Sequence, residues 1–393
     1  MTTTLKHSII KTLLASLLAI VFLQPAKADS TQFSLLTCSP GEEVYELFGH
    51  TALRYTNREK ELDIVFGYGY FSFSTPNFVG RFILGETDYL VGVVNYRDFI
   101  ADYTLRGSGV TEQIIQMDSL QKQALFDTLV ENCRPQNRVY RYNFLYNNCT
   151  TKVRDKILEQ FAGNITYTNE ARATTLREAI AQYTASQPWT AFGINLLLGA
   201  DVDKPASRDT LQFLPHNLMN DLATARVCEQ SIVGEPIELL QPVAKERSLN
   251  HFTPFNSALL LLLFTMIIML CEVRSHKIFW GYDILLMTLQ GTAGAILLFM
   301  ALFSQHPAVG NNYLLILLTP LPFILIPPLI YCAIKHKTPH FMWIEAALPI
   351  AFIASAPIVP QSYPAPIFIF AITIAIRSLF HIYRQKICDL NIY

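Results

Sequence analysis

The chain is 393 residues long, half of it apolar, with a net charge of −1. A charge so near zero argues against a nucleic-acid partner. The apolar residues are unevenly placed, so the N-terminus, the middle and the C-terminal third are read separately.

At the N-terminus, Lys6 and Lys11 precede an apolar run from Leu13 to Leu23, followed by Pro25 and Ala26-Lys27-Ala28. This is the pattern of a secretory signal with an A-x-A cleavage site, which assigns residues 1–28 to the signal and makes Asp29 the first mature residue. The run is short for a membrane span, and an uncleaved anchor is the alternative. No cysteine follows the cleavage point, so the chain is not expected to be a lipoprotein itself.

Residues 29–250, roughly 220 in all, are enough for a core of their own and are expected to lie outside the cytoplasm. Phe33 to Thr37 reads as a strand and Cys38 to Gly41 as a turn. An alternating strand, Leu47 to Tyr55, puts Phe48, His50, Ala52 and Arg54 on one face. Gly49 beside His50 leaves room for a substrate or a neighbouring backbone. Leu62 to Phe66 returns after a polar turn, the aromatic and Gly-rich GYGYFSFSTPNF follows, and Leu90 to Tyr96 and Val110 to Gln116 are further strands. Asp118 with Gln121 is a capping-box signature for a helix ending near Cys133. Leu176 to Tyr183 and Leu211 to Ala225 look helical, with breaks at Pro188-Trp189 and at Asp201 to Pro205, and Gln241 to Thr253 reads as a linker.

The stretch RYNFLYNNCTTKVRD, Arg141 to Asp155, organises this middle region. An extended aromatic run ends at Asn147-Asn148, and a helix begins there with Val153, Ile157, Leu158 and Phe161 on one face. Asn148 is a good N-cap, so Cys149 falls in the first turn, where unpaired N–H groups and the helix dipole favour a thiolate. Two readings stand beside each other: a nucleophile, and a small buried residue where a strand meets a helix. Cys38, Cys133, Cys149 and Cys228 could also form two disulfides in an oxidising compartment; a working Cys149 would leave at most one.

A cysteine nucleophile needs a base, and His50 is the histidine placed mid-strand before the Cys149 helix. Asp63 is the candidate to orient its imidazole. A turn centred on Thr56-Asn57 would set Asp63 opposite His50, whereas a turn at Asn57 to Lys60 would pair it with Arg54. The Cys149 backbone N–H, with Tyr146 or Asn148 assisting, would serve an oxyanion. His306, in the polar loop Gln305-His306-Pro307, is a candidate for a lipid headgroup. No CxxC, HExxH or close histidine pair suggests a metal, and no P-loop or Rossmann signature suggests a nucleotide cofactor.

From Phe255 onward about five apolar segments alternate with short loops. They run near Phe255 to Cys271, Phe279 to Phe303, Tyr313 to Ile334, Phe341 to Ile358 and Pro364 to Phe380. Arg274, His276 and Lys277 follow the first, Lys335, His336 and Lys337 follow the third, and Arg377, Arg384 and Lys386 end the fifth. By the positive-inside rule these ends are cytoplasmic, and residues 29–250 lie outside.

The motifs LLTCSPGEEVYELFGHTALRY, DIVFGYGYFSFSTPNF, YNFLYNNCTTKVRD, PWTAFGINLLLGADVDKP and FSQHPAVGNNYLL resemble the Lnb family. The resemblance implies an α+β, permuted papain-like periplasmic domain, related to NlpC-type peptidases and lecithin:retinol acyltransferase, ahead of an all-α membrane bundle. It implies a cysteine-dependent lipoprotein N-acyltransferase of the bacterial inner membrane, with Cys149 as nucleophile and His50 as base. The acyl donor would be a membrane phospholipid, and the acceptor the N-terminal amine of a diacylglyceryl lipoprotein. A cell-wall amidase of the NlpC type and a non-catalytic lipid- or protein-binding module are the alternatives.

Overall fold

A computed structural model describes residues 30–161, 163, 165–243, 252–335, 337 and 339–390. The expected signal segment and most of the expected linker lie outside the described residues.

Ten strands and eight helices precede the apolar C-terminal helices among the described residues. The main sheet has seven strands: β1 (Thr31–Cys38), β2 (His50–Asn57), β3 (Leu62–Tyr70), β4 (Asp88–Asn95), β5 (Val110–Ile114), β6 (Val139–Arg141) and β10 (Ile237–Leu240). Their spatial order is β10-β5-β1-β2-β3-β4-β6, and every pairing is antiparallel. A small second sheet joins β7 (Thr166–Tyr167), β8 (Ala225–Val227) and β9 (Gln230–Ser231).

Both faces of the main sheet are covered, so residues pointing to either side of its inner strands are buried, Ser34, Thr37 and Thr51 among them. Alternation sends Phe33, Leu35, Leu53, Tyr55 and Phe66 into one core and Leu36, Cys38, Ala52, Val65 and Val110 into the other. The first core is closed by α3 (Ser119–Cys133), α4 (Cys149–Leu158) and α8 (Pro215–Thr224), which bring in Leu125, Leu129, Val153, Ile157, Leu218 and Leu222. The second is closed by α2 (Tyr96–Arg106) through Phe99. The α3 helix opens on the expected Asp118–Gln121 capping box.

Several elements differ from the sequence expectation. The second strand starts at His50, because residues 44–48 form turns and Phe48 packs instead on Phe144 and Tyr183 in a third core. The third strand runs on through the glycines to Tyr70. The α1 helix (Phe78–Leu84) and α2 carry no clean apolar stripe and were not anticipated. Pro188 opens a helix, α6 (Pro188–Leu197), since a first-turn proline forfeits only an N–H that has no intrahelical partner. The helix expected from Leu211 to Ala225 begins instead at Pro215, as α8, and a short α7 (Arg208–Leu211) precedes it. The remaining helix of this region is α5 (Leu176–Thr184).

The C-terminal region is helical: α9 (Pro254–Ser275), α10 (Trp280–Phe303), α11 (Leu321–Ile334), α12 (Met342–Ser355) and α13 (Ala365–Leu390). Four spans, Pro254–Ser275, Trp280–Phe303, Tyr313–Ile334 and Ala365–Arg384, are long and apolar enough to cross a membrane; Met342–Ser355 is shorter. Arg377, expected among the basic residues of a cytoplasmic end, is buried. It bridges Glu272 at 2.6 Å and Asp283 at 2.6 Å, and so ties three helices at the end of the bundle away from the sheet.

The two regions meet through the loop after α10. Gln305 donates its N–H to Leu84 O at 2.8 Å, and Gly199 donates to Ala308 O at 2.8 Å. Asn312 Nδ2 reaches Leu196 O at 2.7 Å.

Candidate active site

Cys149 is the first residue of α4, with Asn148 as its cap. The Asn148 Oδ1 accepts from the Thr150 and Thr151 backbone N–H groups, each at 2.9 Å, while its Nδ2 donates to Phe144 O and Phe213 O, each at 2.9 Å. Every polar atom of this buried amide is therefore spent on holding the helix start. This corrects the expectation that Asn148 faces an oxyanion: it positions Cys149. The Cys149 N–H is left outside the cap. Loop residues 143–148 are anchored by Phe144, stacked edge-on against Phe48 and Phe213, and by buried Leu145.

The strand side is built around Gly49, whose φ of 77° and whose Cβ position 2.4 Å from Cys38 O admit glycine alone. It is the neighbouring backbone that uses the space. The turn delivers His50, opposite Cys38, to the first position of the interior strand β2, and then Thr51, whose hydroxyl bonds the Thr150 hydroxyl at 3.1 Å. That buried contact pins the start of α4 to β2. Gly69, at φ 102° in the bulge between Tyr68 and Tyr70, passes the thiol on the other side, where a Cβ would lie 3.6 Å from Cys149 Cβ.

Cys149 is half-buried, and burial alone would raise its pKa. The charge of His50, hydrogen bonds from the His50 side chain and the Thr51 backbone N–H, and the Thr150 hydroxyl outweigh it and bring the thiol below its ordinary value, to about 7. The Thr150 Oγ1 lies 3.8 Å from the sulfur. Cys38, by contrast, is fully buried and is pushed well above the ordinary range. Cys38, Cys133, Cys149 and Cys228 are all free thiols. Alkylation of native protein by iodoacetamide should therefore rise through a midpoint near pH 7 and fall off below it as thiolate is lost. An ordinary cysteine would give about 8.5.

The other expected site residues lie apart from this pair. Asp63 sits opposite Thr56, in neither of the two expected registers, because the turn lies further on, at residues 58–61; its carboxylate still reaches Arg54, bidentate at 2.7 and 2.8 Å. Arg54 is held also by Glu112 at 3.2 Å and lies 3.4 Å from the Tyr96 ring centroid. Asp63→Asn should leave turnover within about threefold, because it loosens a half-exposed ion pair and no site contact; steady-state kinetics check this. Tyr146 is 54% exposed and points to solvent. His306 donates through Nε2 to Phe82 O at 2.7 Å, which makes it a fastener between the α10 loop and α1. Thr51, Thr150 and Gly69 were missed from sequence; the CTT run and the threonine after GH were the available signals. Among the described residues no three His, Cys, Asp or Glu side chains gather to hold a metal ion.

An α+β domain that presents a cysteine–histidine pair, fastened to helices long and apolar enough to cross a membrane, defines a membrane protein with its candidate chemistry outside the bilayer. Residues 21–182 match the Lnb N-terminal periplasmic domain and residues 245–387 the Lnb transmembrane domain. The chain belongs to the Lnb family, whose domains point to a lipoprotein-modifying membrane enzyme. No curated protein and no solved structure gives a match.

Proposed function

We propose that the chain is a cysteine-dependent lipoprotein N-acyltransferase of the bacterial inner membrane, working by two successive acyl transfers. The observation that carries this reading is a thiol brought to about 7 beside His50, in a domain fastened to membrane-crossing helices. Residues 1–28 act as signal, 29–250 as the catalytic domain and 251–393 as the membrane domain.

The Cys149 thiolate attacks the carbonyl carbon of a phospholipid ester. The Cys149 N–H, the donor left outside the Asn148 cap, faces the developing oxyanion. The ester C–O bond breaks, and the His50 imidazolium gives its proton to the departing lysophospholipid oxygen. The acyl group is then held as a thioester. The free α-amine of a diacylglyceryl-cysteine lipoprotein attacks that carbonyl, neutral His50 takes the amine proton, and the thiolate leaves behind an amide. Ester to thioester to amide needs no nucleotide, and holding both lipid substrates at one leaflet replaces a diffusive encounter with proximity.

The test is intact-protein mass after incubating detergent-purified protein with a defined phospholipid, beside Cys149→Ala. The expected result is an added acyl mass that hydroxylamine removes, that the variant lacks, and that a diacylated lipopeptide discharges. Lipopeptide acylation without an adduct would overturn the thioester step. With neither, and with peptidoglycan cleavage present, the amidase reading replaces this one.

A further inference from the structure

A run of aromatic rings leads from the neighbourhood of Cys149 to the outer end of a membrane-crossing helix. Phe71 follows two residues after Gly69, whose Cβ position lies 3.6 Å from Cys149 Cβ, and it stacks on Tyr89 at a centroid distance of 5.0 Å. Phe71 stacks on Phe78 at 5.5 Å, Phe78 on Phe82 at 6.3 Å, and Phe82 meets the His306 ring at 5.7 Å. Phe73 covers this run from the side, 5.0 Å from Phe71 and 5.2 Å from Phe78.

Tyr89, at the inner end of the run, is buried, but the rings beyond it are not a core. The α1 helix that carries Phe78 and Phe82 has no buried residue, and Phe73 is 66% exposed. Val79 and Ile83 on the same helix are exposed too. A contiguous apolar patch of this kind on a soluble surface marks an interaction site. The occupant follows from where the patch ends. Beyond the Phe82 carbonyl taken by His306, the Ser304 hydroxyl donates to Ile83 O at 2.7 Å and the Gln305 side chain to Glu86 at 3.1 Å. Immediately before Ser304, Leu302 and Phe303 close the spanning helix α10 with 65% and 61% of their surfaces exposed. The exposed apolar end of α10 is thus fastened directly to the exposed apolar α1.

Resting on the acyltransfer reading, we propose that the seam Phe82–Phe78–Phe71, walled by Phe73 and ending at Tyr89, is the binding track for the acyl chain of the donor phospholipid. A chain leaves the outer leaflet at α1 and lies along the rings, which brings its ester end to the Cys149 sulfur. Ring faces suit this task because they offer wide apolar contact with little side-chain entropy to lose and no directional demand on the chain.

Two measurements test the track. The first is the rate of Cys149 acylation by a donor with sixteen-carbon chains relative to one with four-carbon chains, in wild type and in Phe73→Ser and Phe82→Ser. The expected result is a long-over-short preference that falls about tenfold or more, since each ring removed takes the equivalent of several buried methylenes of contact with it. A ratio within twofold of wild type overturns the proposal. Iodoacetamide alkylation with its midpoint near pH 7 shows that each variant retains the folded site. The second measurement is photo-crosslinking of full-length Cys149→Ala, in nanodiscs of phosphatidylethanolamine and phosphatidylglycerol, to a phospholipid with a diazirine at the chain end. Adducts within residues 71–89 support the track, even if no thioester ever forms on Cys149 and the acyltransfer reading fails. Adducts confined to the spanning helices overturn it, even if the thioester forms.

Discussion

If the chain works as proposed, acyl transfer in His50→Ala should fall by about 10³-fold or more at pH 7, through two losses that pH separates. The imidazole's charge and hydrogen bond are the largest of the influences that lower the Cys149 pKa to about 7, so removing them returns the thiol to its ordinary range or above. That alone cuts the thiolate fraction at neutral pH by about an order of magnitude. The loss is recovered as pH rises, because a thiol with a higher pKa still ionises in alkali. The second loss is general acid–base catalysis, worth about 10² to 10⁴, and alkali does not restore it, since the leaving oxygen still has no proton donor. Alkylation by iodoacetamide in the variant should therefore reach the wild-type plateau above about pH 9.5. Acyl transfer, followed by mass, should stay low throughout. Recovery of both at high pH would reduce His50 to an electrostatic neighbour.

Arg177→Met should be the most destabilising single change in the periplasmic domain. This buried guanidinium forms a bidentate pair with Asp203 at 2.9 Å and donates to the carbonyls of Asn195, Leu198 and Gly199. It joins α5 to the end of α6 and to the short 3-10 turn Ala200–Asp203, where the domain meets the loop after α10. Methionine fills much of the volume but leaves a buried carboxylate and several carbonyls unpaired. The cost is about 3–5 kcal/mol, or roughly 10 °C in Tm for a domain of this size. Thermal unfolding in detergent measures it. Arg177→Met combined with Asp203→Leu should recover part of the loss, because no unpaired charge then remains. A single variant within about 2 °C of wild type would show that the pair is replaced by water.

The elements legible in the sequence are those with a local cause. The Asp118–Gln121 box and the Asn148 cap are written in residues three apart, and both helices begin where those residues place them. What stayed hidden depends on partners distant along the chain. Asp63 was given two registers and the hairpin took a third, with Thr56 opposite; Arg54 still pairs with it, because Asp63, Glu112 and Tyr96 gather around the guanidinium on that side of the sheet. Thr51 and Thr150 are 99 positions apart, and no periodicity could announce that their hydroxyls meet. The helices α1 and α2 were missed because neither shows an apolar stripe, α1 having no buried residue at all. Arg377 looked like a flanking charge until two carboxylates on other helices were found against it.

The loop Ser304 to Asn312 grips the periplasmic domain at two places, α1 through Ile83 and Leu84, and the end of α6 through Leu196 and Gly199. Two grips on one short loop fix the domain in tilt as well as in height, so α10 acts as a ruler. On the proposed acyl transfer, the sulfur then stands at a set distance above the hydrocarbon, while the donor ester stands at a distance set by the lipid. Turnover in vesicles should accordingly pass through an optimum as chain length thickens the bilayer, with headgroup and chain-end chemistry held constant. A flat response would show that the two grips slip.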